Sequence, residues 1–158
     1  MIRLRPIREE EFAPWLERVE AWYAHDLERN GGFPAAGALE KARTDVEHLF
    51  PGGKSNDAQV VLVAAHDQTD EQVGVVWFAV RDLPNGRGAW LYDIDIVEGQ
   101  RGRGFGRRAM ELFEEEVRRR GLDRIGLNVM GGNEVARSLY RSLGYRETFV
   151  AMAKELDA

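Results

Sequence analysis

Apolar and polar positions alternate over residues 2–7, which predicts a first strand. The spacing then lengthens. Phe12, Leu16, Val19 and Tyr23 recur at helical intervals, with Trp15 and Trp22 beside them, so residues 9–27 read as a helix. Glu9, Glu10 and Glu11 favour its N-terminus. The run Asn30-Gly31-Gly32-Phe33-Pro34 breaks the pattern. Residues 39–50 form a second helix, ended by Pro51-Gly52-Gly53. Apolar runs at 58–66 and 73–81 read as the strands of a hairpin across the polar turn 67–72. A second turn, Leu83-Pro84-Asn85-Gly86 with Asn-Gly as its strong element, leads to a fourth strand at 90–97. A long helix follows at 105–120, with Phe105, Ala109, Leu112, Phe113 and Val117 on its apolar side and Gly121 past its end. Residues 124–129 read as a strand, 135–143 as a helix stopped by Gly144, and 148–156 as a last strand. The order βααβββαβαβ predicts an α/β domain in which helices flank a mixed, mostly antiparallel central sheet. No repeat, linker or low-complexity tract interrupts it, so residues 1–158 are expected to form one domain.

Between the fourth strand and the long helix lies VEGQRGRGFGRRAM, residues 97–110. Gly102, Gly104 and Gly106 alternate with Arg103 and Phe105, and Arg101, Arg107 and Arg108 flank them. Glycines let a backbone approach a ligand closely, and an open helix N-terminus presents unpaired N–H groups, so the segment reads as an anion site. Two phosphate loops fail on residues. A Walker loop needs Lys-Ser/Thr after its last glycine, whereas Arg107 and Arg108 follow Gly106. A dinucleotide fingerprint begun at Gly102 needs a glycine where Arg107 stands.

Composition narrows the setting. Hydrophobic residues make up 44% and charged residues 31%, as in globular domains of this length. No apolar run approaches the about 20 residues of a membrane span, and the opening strand leaves no room for a signal peptide, so a cytoplasmic protein is expected. The chain has no cysteine, which excludes disulfides, thiolate metal sites and cysteine nucleophiles. His25, His48 and His66 are isolated from one another, so no metal is expected. Net charge is −5, unevenly placed: residues 1–100 carry 10 basic and 18 acidic side chains, and residues 101–158 carry 12 and 9. That division suits a polyanionic cofactor at the glycine loop and a cationic acceptor near the other half. The basic cluster is short and claimed by the loop, which argues against nucleic acid as a partner.

Arg101, Gly104 and Gly106 stand in the pattern Arg-x-x-Gly-x-Gly, which resembles the acetyl-CoA pyrophosphate loop of the GNAT superfamily of N-acetyltransferases. Leu127-Asn128-Val129, Asn133, Ala136, Leu139-Tyr140 and Gly144-Tyr145 resemble that superfamily's second signature. The two signatures span residues 90–146 in the family's order. The first 58 residues carry little of it, and in the family that portion shapes the acceptor site. The resemblance implies a GNAT-like fold and acetyl transfer from acetyl-CoA to a primary amine in a ternary complex. The backbone N–H groups of residues 103–107 would face the pyrophosphate, making Arg101, Gly102, Arg103, Gly104, Phe105, Gly106 and Arg107 the cofactor loop. The matching strand positions Ile96 and Val97 would hydrogen-bond the pantetheine and the acetyl carbonyl through their backbone. Tyr140 matches the tyrosine that protonates, or hydrogen-bonds, the CoA sulfur. Asn133 sits where it would touch the cofactor, and equally where an Asn caps a helix.

Asp93 and Asp95 lie two apart on the fourth strand and so share a face, with Trp90, Tyr92, Ile94 and Ile96 on the other. They are candidates to bind an ammonium or take its proton; a solvated strand face or an ion pair with a nearby arginine is the alternative. Glu98 is a weaker candidate. Two other functions stay open: a non-catalytic acetyl-CoA sensor or scaffold, and transfer of a longer acyl group. The acceptor is expected to be a small-molecule or peptide amine, and the protein a monomer or homodimer.

Overall fold

Alternation and β-branched side chains in the middle of the chain build its frame. The computed structural model describes residues 1–31 and 33–156, with the backbone alone for Asn30 and Gly31. It divides into two compact units, Met1–Leu127 and Asn128–Ala158. The first unit holds β1 (Ile2–Pro6), α1 (Glu9–Gly31), α2 (Ala35–Leu49), β2 (Gln59–His66), β3 (Gln72–Leu83), β4 (Gly86–Ile96), α3 (Phe105–Arg119) and β5 (Ile125–Leu127). Short 3-10 turns follow α2 at Pro51–Gly53 and β4 at Glu98–Gln100. The five strands form one sheet in the order β1-β2-β3-β4-β5. The first three pairings are antiparallel and β4–β5 is parallel, giving the mixed, mostly antiparallel sheet that the sequence predicts.

Register assigns side chains to faces, because directly opposed residues of an antiparallel pair point to the same side. Val61, Val75 and Trp77 share the face covered by α1 and α2. There they meet Phe12, Trp15, Leu16 and Val19 of α1, Val46 of α2 and Phe50. Trp15 stands edge-on to Trp77 and to Phe50, with ring centroids 5.5 and 5.6 Å apart. On the opposite face Phe78 packs on Phe113 of α3 at 5.0 Å, over Ala109, Met110 and Val117, all fully buried. Each of the larger of these side chains contributes about 1.5–3 kcal/mol of burial. Trp22, by contrast, is exposed.

The helix ends differ from their sequence reading for identifiable reasons. α1 runs past residue 27 to Gly31, because Asn and Gly near a helix end cost only about 1 kcal/mol each relative to Ala. Pro34, extended at φ −61° and ψ 147°, is the N-cap of α2. Gly32 of the expected breaker lies outside the described residues. α2 starts at Ala35, not 39, and its buried stripe is Ala38, Ala42 and Val46. Two alanines among three stripe positions make a faint apolar signal.

An ion cluster ties the edge of this unit together. Arg5, nearly buried, donates to both oxygens of Glu11 at 2.7 Å and through Nε to Asp70 at 3.1 Å. Arg3 and Arg8 also pair with Asp70, which sits in the β2–β3 turn at φ 58°. These bonds hold the Glu11 carboxyl at about 2, below its ordinary 4.5, chiefly through Arg5. A depressed acid stabilises the fold above its unfolded pKa and loses that contribution as pH falls through the folded one. Glu11→Gln is therefore expected to cost about 2 kcal/mol at pH 7, since it strips a paired guanidinium of its main partner. The deficit should shrink as pH falls from 4.5 toward 2, as read by thermal melts of both proteins across that range.

In the second unit, α4 (Glu134–Ser142) is capped by Asn133, whose side chain accepts the Ala136 N–H at 3.1 Å. Gly144 follows in the left-handed region at φ 92°. Arg137 and Arg141 both pair with Glu147, at 2.7 and 3.0 Å. The last predicted strand, 148–156, is not formed within this unit: residues 145–156 carry no strand. A strand exists only where a neighbour takes its N–H and C=O groups, and α4 offers this unit no such ladder. The strand expected at 124–129 is likewise confined to Ile125–Leu127.

Candidate active site

β4 carries an irregularity that sequence alternation cannot express. Trp77 lies opposite Asp93, but its neighbour Phe78 lies opposite Leu91, so Tyr92 is an extra residue in β4. Such a bulge reverses the facing of everything beyond it. Leu91 therefore shares the α3 face with Phe78, whereas Asp93 and Asp95 share the α1/α2 face with their partners Trp77 and Val75. This corrects the expected grouping. Ile94 and Ile96 do lie opposite the carboxylates, but Trp90, paired with Ala79, falls on the carboxylates' own side, and so does Tyr92, stacked on Trp77 at 4.6 Å. Arg81 reaches across that side, 4.2 Å over the Trp90 ring and 3.5 Å from the Tyr92 hydroxyl.

The two aspartates have separate environments. Asp95 is exposed and paired with Arg101 at 3.1 Å. Asp93 is partly buried against the sheet. Burial, reinforced by the negative charge of Asp95, pushes its carboxyl from 3.8 up to about 7, against a backbone hydrogen bond from Ile94 that opposes the rise. The sequence places both carboxylates on one face; only the structure separates their surroundings.

The end of β4 is partly open within the first unit. β5 pairs with β4 only at Ala89, Trp90 and Leu91, so the stretch from Tyr92 to Ile96 continues past that ladder. The Val97 N–H donates to the Val73 carbonyl at 2.9 Å, continuing the β3–β4 ladder. Alternation of antiparallel hydrogen bonds then turns the backbone groups of Ile96 and Ile94 away from β3, toward the side that β5 has left. The Ile96 carbonyl accepts from Arg101 Nε at 2.7 Å. On β3, a Cβ at Gly74 would stand 2.3 Å from the Asp95 carbonyl oxygen, so only glycine permits this approach.

After the turn at Glu98–Gln100 the glycine loop leads into α3. Gly102 and Gly104 adopt φ of 73° and 81°, and a Cβ built on either meets nothing within 4 Å. Gly104 is the N-cap of α3 and contributes no side-chain cap, and the first N–H groups of a helix have no partner within the helix itself. Phe105 and Gly106 open that turn, with Phe105 edge-on to His66 at 5.3 Å. Arg103 bonds Gln100 at 2.5 Å and lies over the Phe105 ring, while Arg108 pairs with Glu111 and Glu115. This concave backbone can take a pyrophosphate.

In the second unit, Tyr140 lies on α4 with its ring 5.7 Å from that of Tyr145, and Asn133 performs the capping role already described. Among the described residues, no group of three or more His, Cys, Asp or Glu could hold a metal ion, and no helix is long and apolar enough to cross a membrane. Sequence reasoning missed the bulge at Tyr92 and the bond from Arg101 to the Ile96 carbonyl, while the alternative of an ion pair with a nearby arginine holds for Asp95. The one trace of the first is that regular alternation begins only at Tyr92.

Comparison with known proteins follows the same lines. The sequence model of the Acetyltransferase (GNAT) family matches residues 16–145. The uncharacterized N-acetyltransferase YdgE of Bacillus subtilis is 28% identical over 153 residues, covering 97% of each chain. The uncharacterized N-acetyltransferase YycN of the same organism is 27% identical over 155 residues, 98% of this chain and 99% of that one. The crystal structure of YycN superimposes with a TM-score of 0.90 over 100% of both chains, at 26% identity. AAC(6')-Iy in complex with the bisubstrate analog CoA-S-monomethyl-acetylneamine shares the fold, with a TM-score of 0.61 at 15% identity over 100% of this chain and 99% of that one.

Proposed function

The chain belongs to the acetyltransferase (GNAT) family, whose members act on small-molecule or peptide amines, and we propose that it moves the acetyl group of acetyl-CoA to a cationic primary amine by direct attack in a ternary complex. Both units belong to one catalytic domain in this reading, as the family match running from residue 16 to 145 supports. The location is the cytoplasm. Acetyl-CoA, when bound, supplies an activated thioester; the residues of the chain hold it, orient it and move two protons.

The residues present fit that ligand. The open left-handed glycines and the uncapped start of α3 suit a pyrophosphate, with the backbone of Gly102 to Arg107 as the cradle. The Ile96 backbone, turned away from β3, is suited to the pantetheine arm and the acetyl oxygen. Asp93 takes the ammonium proton, so that the amine nitrogen can bond to the acetyl carbon as the carbon–sulfur bond breaks. Tyr140 gives its phenolic proton to the departing sulfur.

The observation that carries this reading is the Asp93 carboxyl, held at about 7 on the α1/α2 face. An alkylammonium has a pKa near 10.4. Raising the acceptor of its proton from 3.8 to about 7 removes roughly 4 kcal/mol of the uphill transfer. Asp95, paired with Arg101, adds negative charge nearby and favours a cationic substrate. The acidic balance of residues 1–100 supports the same choice. Direct attack is supported by the absence of any cysteine to carry the acetyl group.

A panel of polyamines, lysine peptides, free amino acids and aminoglycosides, read by release of free CoA, tests the reading. The cationic amines are expected to turn over, with intersecting double-reciprocal plots. On the best acceptor, Tyr140→Phe should lower kcat by about 10- to 100-fold with little change in acetyl-CoA affinity, since water can substitute for the acid in part. Parallel plots, or CoA release indifferent to every amine, contradict the proposal.

A further inference from the structure

Arg101 stands at the start of the glycine loop, yet its guanidinium turns back to β4. Nε donates to the Ile96 carbonyl at 2.7 Å, and Nη2 donates to Asp95 Oδ1 at 3.1 Å. Its own N–H is taken by the Glu98 carbonyl at 3.2 Å. One side chain thus joins the loop, the last β4 residue and the second carboxylate of the acceptor face. We propose that Arg101 is a positioning residue that acts through Asp95: it fixes that carboxylate and offsets its charge, and so sets how readily the neighbouring Asp93 gives up and takes a proton. This rests on the reading of Asp93 as the base. It assigns Arg101 a role distinct from holding the cofactor, which is where its place in the loop pattern would put it.

The surroundings of Asp93 make this coupling direct. On β4 and β3 its neighbours are Tyr92, Trp77 and Asp95. The buried side chains that α1 and α2 place around Trp77 are the apolar Phe12, Trp15, Leu16, Val19 and Val46, and among the described residues no polar or charged residue is fully buried. Arg81 is attached to the outer end of Tyr92 and Trp90. The charge of Asp95 adds to burial in raising the Asp93 carboxyl, and Arg101 is the partner of Asp95. Because the Arg101–Asp95 pair is exposed, its influence is modest and screened by salt.

The experiment follows the Asp93 carboxyl carbon by NMR titration in the whole protein, at low and high salt. Arg101→Gln should raise the Asp93 midpoint by about half a unit at low salt and less at high salt. Arg101→Lys, which keeps the charge, should restore most of the wild-type midpoint. Asp95→Asn should lower the midpoint, and adding Arg101→Gln to it should then change little. An Arg101→Gln midpoint equal to wild type, or one that shifts as far without Asp95 as with it, overturns the proposal. The titration does not depend on turnover, so it separates this inference from the base reading. That reading fails instead if Asp93→Asn acetylates the best acceptor at the wild-type rate.

Discussion

Asp93→Asn is expected to lower kcat on the best amine by about 100-fold or more at pH 8 while raising the melting temperature of the protein. Both effects come from one feature, a carboxylate held where water solvates it poorly. Its pKa rises from 3.8 to about 7 because burial, and then Asp95, disfavour the charged form. The folded protein therefore binds a proton more tightly than the unfolded chain. Stability falls as pH rises from 3.8 to about 7, and the cost of the charge is carried in full above that. An uncharged Asn removes the cost. At pH 8 the variant should gain about 1–2 kcal/mol, or roughly 3–6 °C in a domain of this size. At pH 4 it should gain nothing. Acetyl-CoA affinity should be unchanged, because the loop is untouched. A residue that only packed the strand would lose stability when replaced, or change it equally at both pH values.

The second large effect concerns the loop. Gly104→Asp should weaken acetyl-CoA binding by about 100-fold or more, which corresponds to ~2.7 kcal/mol. Gly104 sits at φ 81° as the N-cap of α3, with open space where a Cβ would go. A side chain there stands in the volume that the pyrophosphate needs, and a carboxylate adds repulsion to that steric loss. Gly104→Ala separates the parts. It carries the left-handed strain, about 1 kcal/mol of stability, without the charge, and should bind within about 10-fold of wild type. Calorimetry on the three proteins, each checked for a cooperative melt, decides the matter. A folded Asp variant that binds acetyl-CoA as wild type does would remove the loop from the cofactor site.

What the sequence conveys here follows from the range of its signals. Helix and strand periods are local, so α3, the β2–β3 hairpin and α4 appear within a residue or two of where they are expected. The glycine loop is equally local, and Gly102 and Gly104 take the left-handed backbone that their residue type allows. Pairing is not local. The bulge at Tyr92 exists only in the register of β4 against β3, and it moves Trp90 and Tyr92 to the side that alternation denied them. The hydrogen bond of the Val97 N–H likewise depends on a partner 24 residues back in the chain, the Val73 carbonyl. Arg101 shows the limit most clearly. Its position in the loop pattern suggests a phosphate, and no spacing shows that its side chain also bonds Ile96 and Asp95. The Asp93–Asp95 pair was visible as two acids on one face, but the difference between them rests on burial, which no spacing encodes.

The most direct test of the account is the pH dependence of kcat/KM for the best cationic amine, which reports the free enzyme's essential groups. Wild-type protein is predicted to show an acid limb with its midpoint near 7, where the Asp93 carboxyl loses its proton, and Asp93→Asn to lack that limb. The same limb in both proteins, or a wild-type profile flat from pH 5 to 8, would contradict Asp93 as the base.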